Sequence, residues 1–242
     1  MVFIEIPGEK VRGLFQRRIN RFIGEVFVEG HLETVHIANT GRMKELLTKD
    51  AKVILRKVNQ PHRKTKFDLL MVYHGNTLIS IDSKLPNQLL EKAFIEGEIP
   101  GFEGFSTVKR EVTFGKSRFD LSLLNPKTKE LALIEAKCVT LVKNKGLATF
   151  PDAPTTRGLK HVLELMEGLQ AGHRGEVFFV VQRSDGEFFR PNRDMDPAFS
   201  EAVALAHKAG VKFRAFNCIV RPEGIELFKE IPVEISTNSH HR

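Results

Sequence analysis

The chain has 242 residues, 41% of them hydrophobic, with two cysteines and a formal net charge of +7. This allows one large or two modest domains with a real core, and the basic balance points to a polyanionic partner. Cys138 and Cys218 are too few for a disulfide framework or a metal knuckle, no apolar run reaches membrane length, and the start lacks signal-peptide character, so a cytoplasmic protein with no membrane partner is expected.

Residues 1–82 read as short strands at 2–6, 19–29, 31–37, 52–58, 67–74 and 77–81, with hairpin turns at Glu29-Gly30-His31 and His74-Gly75-Asn76. Asn39 to Leu47 predicts a turn leading into a short helix. Five or so short strands in this length predict an all-β barrel of the OB type. This part holds +5 of the net charge. Arg17, Arg18 and Arg21 cluster beside Phe15 and Phe22, and Arg63, Lys64 and Lys66 form a second basic group. Cations interleaved with aromatics on a barrel suit a nucleic-acid backbone with stacked bases. A solvated basic face over two buried phenylalanines gives the same pattern, and burial is the expectation for Phe22.

A boundary is expected near 82–86, giving a second domain over 83–235 and a disordered tail over 236–242, where His240 and His241 are incidental. Pro86 opens a helix whose apolar face is Leu89, Leu90, Ala93 and Phe94. Asn87 and Glu91 share another face of it, and Glu91 reaches any site on the sheet if that face packs there.

Arg118 to Lys137 is the stretch around which the second domain is organised. Two apolar runs flank the turn Asn125-Pro126-Lys127-Thr128-Lys129, a hairpin signal. Alternation puts Phe119, Leu121 and Leu123 on one face and Asp120 and Ser122 on the other, while Glu135 and Lys137 share a face of the next strand. The second run is apolar on both faces, as in a strand covered by helices. Buried charges need partners or a metal. Two carboxylates suit Mg²⁺ or Mn²⁺, and a lysine beside them can orient or deprotonate the attacking water. A same-face ion pair gives the same tripeptide, and Asp50-Ala51-Lys52 shows how common the spacing is.

Thr155 or Thr156 caps a helix with the stripe Leu159, Val162, Leu163, Met166 and Leu169. Arg157, Lys160, His161 and Glu164 then form its solvated face. Basic residues in a first turn oppose the helix dipole, which phosphate binding at that end would explain. A buried strand to Gln182, a helix over 196–209 and strands at 211–220 and 225–228 follow. Strand and helix alternate, so the domain is α/β with a mixed sheet.

This order resembles the PD-(D/E)xK nuclease superfamily, with an acidic residue on the first helix, Asp120 on the second strand and Glu135-Ala136-Lys137 on the third. Gln182 matches a strand-end glutamine of some branches. A longer resemblance runs through Arg17-Arg18, Arg21-Phe22, Val35 to Met43, Phe119-Asp120, Glu135 to Leu141, Phe150 to His161 and Val180 to Arg183. By it the chain is identified as a member of the sugar fermentation stimulation protein A family. Ala136 stands where that family usually has valine, and Leu159 where it usually has glutamine.

The resemblance implies an OB-fold domain, a nuclease-like domain, sequence-nonspecific DNA binding and a regulatory link to maltose metabolism. It implies that Asp120, Glu135, the Ala136 carbonyl and Glu91 hold Mg²⁺, with Lys137 and Gln182 completing the catalytic set. Arg17, Arg18, Arg21, Asn39, Arg42, Arg157, Lys160 and His161 would meet DNA. Two function classes stay open: a Mg²⁺-dependent DNA endonuclease, and a non-catalytic DNA-binding regulator. The residues give no oligomeric state.

Overall fold

The computed structural model describes residues 1–60 and 62–235, so the expected tail over 236–242 lies outside the described residues. The chain begins with β1 (Val2–Glu5) and then builds a barrel from β2 (Lys10–Arg18), β3 (Ile23–Val28), β4 (His31–Ile37), β5 (Lys52–Lys57) and β6 (Phe67–His74). Strand β2 pairs with β3 and β5, β3 with β4, β4 with β6, and β6 with β5, so five strands close into a ring. Closure removes the edges that a five-stranded sheet would expose. Inward side chains such as Phe15, Val26, Val35, Ile37, Leu55 and Leu69 fill it and are at most 1% exposed. Gly13 sits where strands crowd: a Cβ there would lie 2.5 Å from Val26 Cγ1. Strand β7 (Thr77–Ser80) folds back antiparallel on the second half of β6.

Three expectations about this part need correction. The expected strand over 19–29 is a turn followed by β3, because the N–H groups of Ile19 and Asn20 both donate to the Ile23 carbonyl. The basic segment before it, not read as a strand, is β2. No helix forms over 39–47. The Asn39 side chain accepts the Gly41 N–H, and Asp152 accepts those of Arg42 and Met43, so the amides that would open a helix are bound elsewhere. Finally, β1 does not belong to the barrel. It pairs antiparallel with β16 (Gly224–Ile231), and Val2 and Ile6 join the core of the second domain. The expected 1–82 unit therefore gives up its first strand to the other sheet.

After β7 come α1 (Leu85–Ile95), β8 (Thr107–Phe114), β9 (Ser117–Leu124), β10 (Leu131–Val139), β11 (Val142–Lys143), β12 (Leu147–Phe150), α2 (Thr156–Gln170), β13 (Arg174–Val181), β14 (Phe188–Pro191), α3 (Pro197–Ala209) and β15 (Lys212–Arg221). Seven strands form one mixed sheet in the order β1-β16-β15-β13-β10-β9-β8, with β10, β13 and β15 parallel. Helix α1 covers one face through Leu89, Leu90 and Phe94 against Ile134, Phe178 and Phe216. Helices α2 and α3 cover the other through Val162, Leu165 and Val203 against Val177 and Phe179. That two-sided cover is why β10 and β13 read as continuous apolar runs. The expected loop over 143–156 contains β12, which pairs with β11 and β14 in a small separate sheet.

Candidate metal and phosphodiester site

The site forms where β9 peels away from β10. Their ladder ends at the pair Leu121 and Ile134. The Ala136 N–H, no longer met by a β9 carbonyl, donates instead to Asp120 Oδ2 at 2.8 Å. Departure from the ladder also breaks the expected alternation. Leu121 and Leu123 pack under α1, whereas Phe119 packs on the α2 side, its ring 5.7 Å from that of His161. Asn87 on α1 donates to the other Asp120 oxygen at 2.7 Å, so the carboxylate is held from two sides.

Glu135 is 3% exposed and faces α2. Its Oε1 takes both the Lys137 ammonium, at 2.5 Å, and His161 Nδ1. Its Oε2 is buried with no hydrogen-bond partner. Burial opposes the charge on Glu135, but Lys137 and His161 outweigh it and hold the carboxyl below the usual range. Burial, followed by the charge of Glu135, pushes the Asp120 carboxyl up. Two neighbouring carboxylates driven in opposite directions, one with an unmatched buried oxygen, mark a place that lacks a positive charge.

A hard cation fits this donor set. Asp120 and Glu135 Oε2 are carboxylate oxygens, and on a strand the Ala136 carbonyl points to the same side as its N–H, toward Asp120. Among the described residues no group of three or more His, Cys, Asp and Glu side chains has metal-binding geometry. The set therefore suits an ion that keeps much of its water, as Mg²⁺ does, and not a fully ligated zinc.

These groups open into a cleft of about 480 Å³ between the two domains. The barrel contributes Arg21, Thr40 and Gly41, and the other wall carries the Pro151–Pro154 loop and Arg157. Asp152 crosses the gap to the Arg42 and Met43 amides, and Asn39 reaches the Ile81 carbonyl at 2.8 Å. A second groove continues from the first past Arg18, Arg42 and Lys44, sharing Arg21, Thr40, Gly41, Ala153 and Pro154 with it.

The expected site residues separate into those the fold brings together and those it does not. Asp120, Glu135, Ala136, Lys137, Arg21, Asn39 and Arg157 line the cleft. Glu91 does not. It pairs with Arg110 on β8 at 3.6 Å, and Asn87, one turn earlier, occupies the position facing Asp120. Gln182 lies below the surface, where its amide donates to the Ser80 and Asp82 carbonyls and to Cys138 Sγ; it ties the barrel exit to the sheet.

His161 and Glu164 are buried, not on a solvated face, and Leu163 is 40% exposed in place of them. Both glycines of the helix are buried, Gly168 against Leu133 of β10 and Gly158 against Phe199 of α3, on the side that also buries His161. Lys160 donates to the Lys116 carbonyl. Arg18 serves the fold: its guanidinium donates to the carbonyls of Asn20, Arg21, Asn39, Gly41 and Arg42, and Asn39's own polar atoms are used internally. Arg17 is exposed and pairs with Glu25. In the second basic group, Arg63 is drawn into a pair with buried Asp68. Phe15 is buried, but Phe22 is 51% exposed, against expectation, because it stands in the β2–β3 turn and not in a strand.

Sequence reasoning passed over His161 as a Glu135 partner and Asn87 as an Asp120 partner. The lack of any acidic residue in the first turn of α2 and the shared helix face of Asn87 and Glu91 were the available signals.

Comparison with known proteins agrees with this architecture. Residues 17–81 match the model of the SfsA N-terminal OB domain, and residues 84–224 match that of the sugar fermentation stimulation protein RE domain. A sugar fermentation stimulation protein homolog from Alkaliphilus metalliredigens is 61% identical over 230 residues, covering 95% of this chain and 99% of the relative. One from Clostridium botulinum (strain Okra / Type B1) is 43% identical over 232 residues, covering 96% and 100%. The solved structure of Pyrococcus furiosus SfsA in complex with Ca²⁺ superposes with a TM-score of 0.88 at 29% identity, covering 97% of this chain and 100% of that one.

Proposed function

The chain belongs to the sugar fermentation stimulation protein family, and we propose that it is a sequence-nonspecific DNA-binding protein whose cleft hydrolyses phosphodiesters with a bound Mg²⁺ or Mn²⁺. The observation that carries this reading is the orphaned, buried Oε2 of Glu135 beside Asp120 in a cleft rimmed by cations. Glu164 Oε2 and Glu176 Oε2 are buried without partners too, but Glu135 is the one of the three that lies beside the Asp120 carboxylate and lines the cleft, where leaving the oxygen unmatched costs about 1–3 kcal/mol. That the related Pyrococcus furiosus SfsA is solved with Ca²⁺ supports a divalent-cation site in this chain as well.

Asp120, Glu135 and the Ala136 carbonyl would hold the ion. When bound, the ion supplies positive charge at the phosphoryl oxygens and eases ionisation of the attacking water. The protein's own groups do the rest. Asn87 and the Ala136 N–H fix Asp120, and His161 fixes Glu135. Lys137, with 11% of its side chain exposed, lines the cleft and places its ammonium where negative charge grows in the transition state. Arg21, Arg42 and Arg157 have no carboxylate within ion-pairing distance among the described residues, so they are available to phosphates. These are charge contacts, which hold a backbone in register without reading bases.

Supercoiled plasmid incubated with the protein and Mg²⁺ or Mn²⁺ tests the reading. The expected result is nicking that Lys137→Ala largely abolishes while DNA and metal binding persist, because the lysine acts on the transition state. No nicking with any divalent ion, or undiminished nicking by Lys137→Ala, would falsify the catalytic reading and leave a DNA-binding regulator.

A further inference from the structure

The β2–β3 turn holds an aromatic ring in solvent on a braced support. Phe22 is 51% exposed and Ile19 equally so. The backbone beneath them is pinned. The Phe22 N–H donates to Asn20 Oδ1 at 2.9 Å, its carbonyl accepts the Ile37 N–H at 2.8 Å, and the Ile19 and Asn20 amides close on Ile23. Arg18 then ties the Arg21 carbonyl to those of Asn39 and Gly41. The turn and the 39–42 loop are thereby one unit at the barrel end that walls the cleft. A ring kept in water on a rigid turn forgoes the gain of burial, which the fold elsewhere gives to Phe15, seven residues earlier.

From Arg21, the residue before that ring in the chain, the cations form a path. Arg21 lines both the metal cleft and the groove continuing from it, Arg42 and Lys44 line the groove, and Arg157 stands at the far wall of the cleft. None of the four has a carboxylate within ion-pairing distance among the described residues, and the groove is walled by the barrel on one side and Ala153 and Pro154 on the other. A paired duplex keeps its bases stacked inside and offers a flat aromatic ring nothing to stack on. An unpaired strand offers a base face for the ring and phosphates for the arginines.

We propose that the substrate of the cleft is single-stranded DNA, or the unpaired strand of a partly opened duplex, with one base stacked on Phe22 and the flanking phosphates on Arg21 and Arg42. This rests on the DNA reading above and adds the strandedness of the substrate. The arrangement delivers the phosphate beyond Arg21 to Asp120 and Glu135, so the stacked base lies a short distance along the strand from the bond that is cut.

Fluorescence anisotropy with a labelled oligonucleotide, alone and annealed to its complement, in Ca²⁺, reads the preference without needing turnover. The single strand is expected to bind more tightly than the duplex. Phe22→Ala should weaken single-strand binding at least about fivefold, the lower end for loss of one stacked base, and leave duplex binding unchanged. Phe22→Trp should restore the affinity. Equal or tighter duplex binding, or single-strand affinity indifferent to Phe22→Ala, would overturn the proposal. If the binding results overturn it while supercoiled plasmid is nicked in a Lys137-dependent way, only the strandedness is wrong and the catalytic reading stands. If single strands bind as expected but nothing is cut, the stacking site stands and the catalytic reading falls.

Discussion

His161 on α2 and Glu135 on β10 meet inside the protein: the imidazole Nδ1 bonds Glu135 Oε1, and the two residues are 4% and 3% exposed. The contact fixes which carboxylate oxygen faces inward to its partners and which is left for the cleft. His161→Ala should therefore cost about 1–3 kcal/mol of stability through an unsatisfied buried group. It should also weaken divalent-ion binding in a calorimetric titration. His161→Asn, which can place an amide N–H near the lost Nδ1, should recover much of the ion affinity. If the two variants bind the ion equally, His161 fills space and does not orient Glu135.

Asp120 and Glu135 contribute to stability with opposite pH dependence. Burial first, then Glu135, raises the Asp120 carboxyl, so the folded protein holds that proton more tightly than the unfolded chain does. Its contribution is greatest in acid and is lost as pH rises through the ordinary Asp range, near about 4, into the raised one. Glu135, held low by Lys137 and His161 against burial, contributes above the ordinary Glu range and loses that contribution as pH falls through the lowered one. Without metal, Asp120→Asn should thus melt at or above the wild-type temperature at neutral pH, and the gap should close toward pH 4. Ca²⁺ or Mg²⁺ should raise the wild-type melting temperature and leave the variant's unmoved. Equal stabilisation of both proteins by the ion would remove Asp120 from the site.

Two neighbouring arginines should behave differently. Arg18 spends its donors on five carbonyls, so Arg18→Ala should destabilise the protein by about 2 kcal/mol or more. Arg21→Ala and Arg42→Ala should leave the melting temperature alone. Each should flatten the log–log salt dependence of DNA binding by roughly 0.7 on a single strand or 0.9 on a duplex. An unchanged slope in the Arg21 and Arg42 variants would mean that DNA runs elsewhere.

Gln182 separates fold from chemistry. Just past the end of β13 and outside the residues that line the cleft, its amide donates to the Ser80 and Asp82 carbonyls at the exit of the barrel and to Cys138 Sγ on β10. Gln182→Met should lower the melting temperature, while nicking per folded molecule holds. A folded variant with lost nicking would return Gln182 to the catalytic set.

The two-domain plan was legible in the chain because periodicity is local. Alternating short runs before residue 82 mark a barrel, and the covered strands around Glu135 and Val180 mark a sandwiched sheet. Asp120, Glu135 and Lys137 were legible too, since charges within apolar strands need a reason to be there. What the sequence could not decide were relations between segments far apart in it. β1 joins β16 across more than two hundred residues, and nothing in Val2–Glu5 names its partner strand. The choice of Asn87 over Glu91 depends on how α1 rests on the sheet. The burial of His161 depends on how α2 packs, with Gly168 against β10 and Gly158 against α3, which no stripe of leucines specifies. Arg18 and Arg21 are three residues apart and chemically alike. Only the tertiary structure turns one inward to a ring of carbonyls and leaves the other beside the cleft, because a guanidinium goes where acceptors lack partners, and that is settled by the packed chain as a whole.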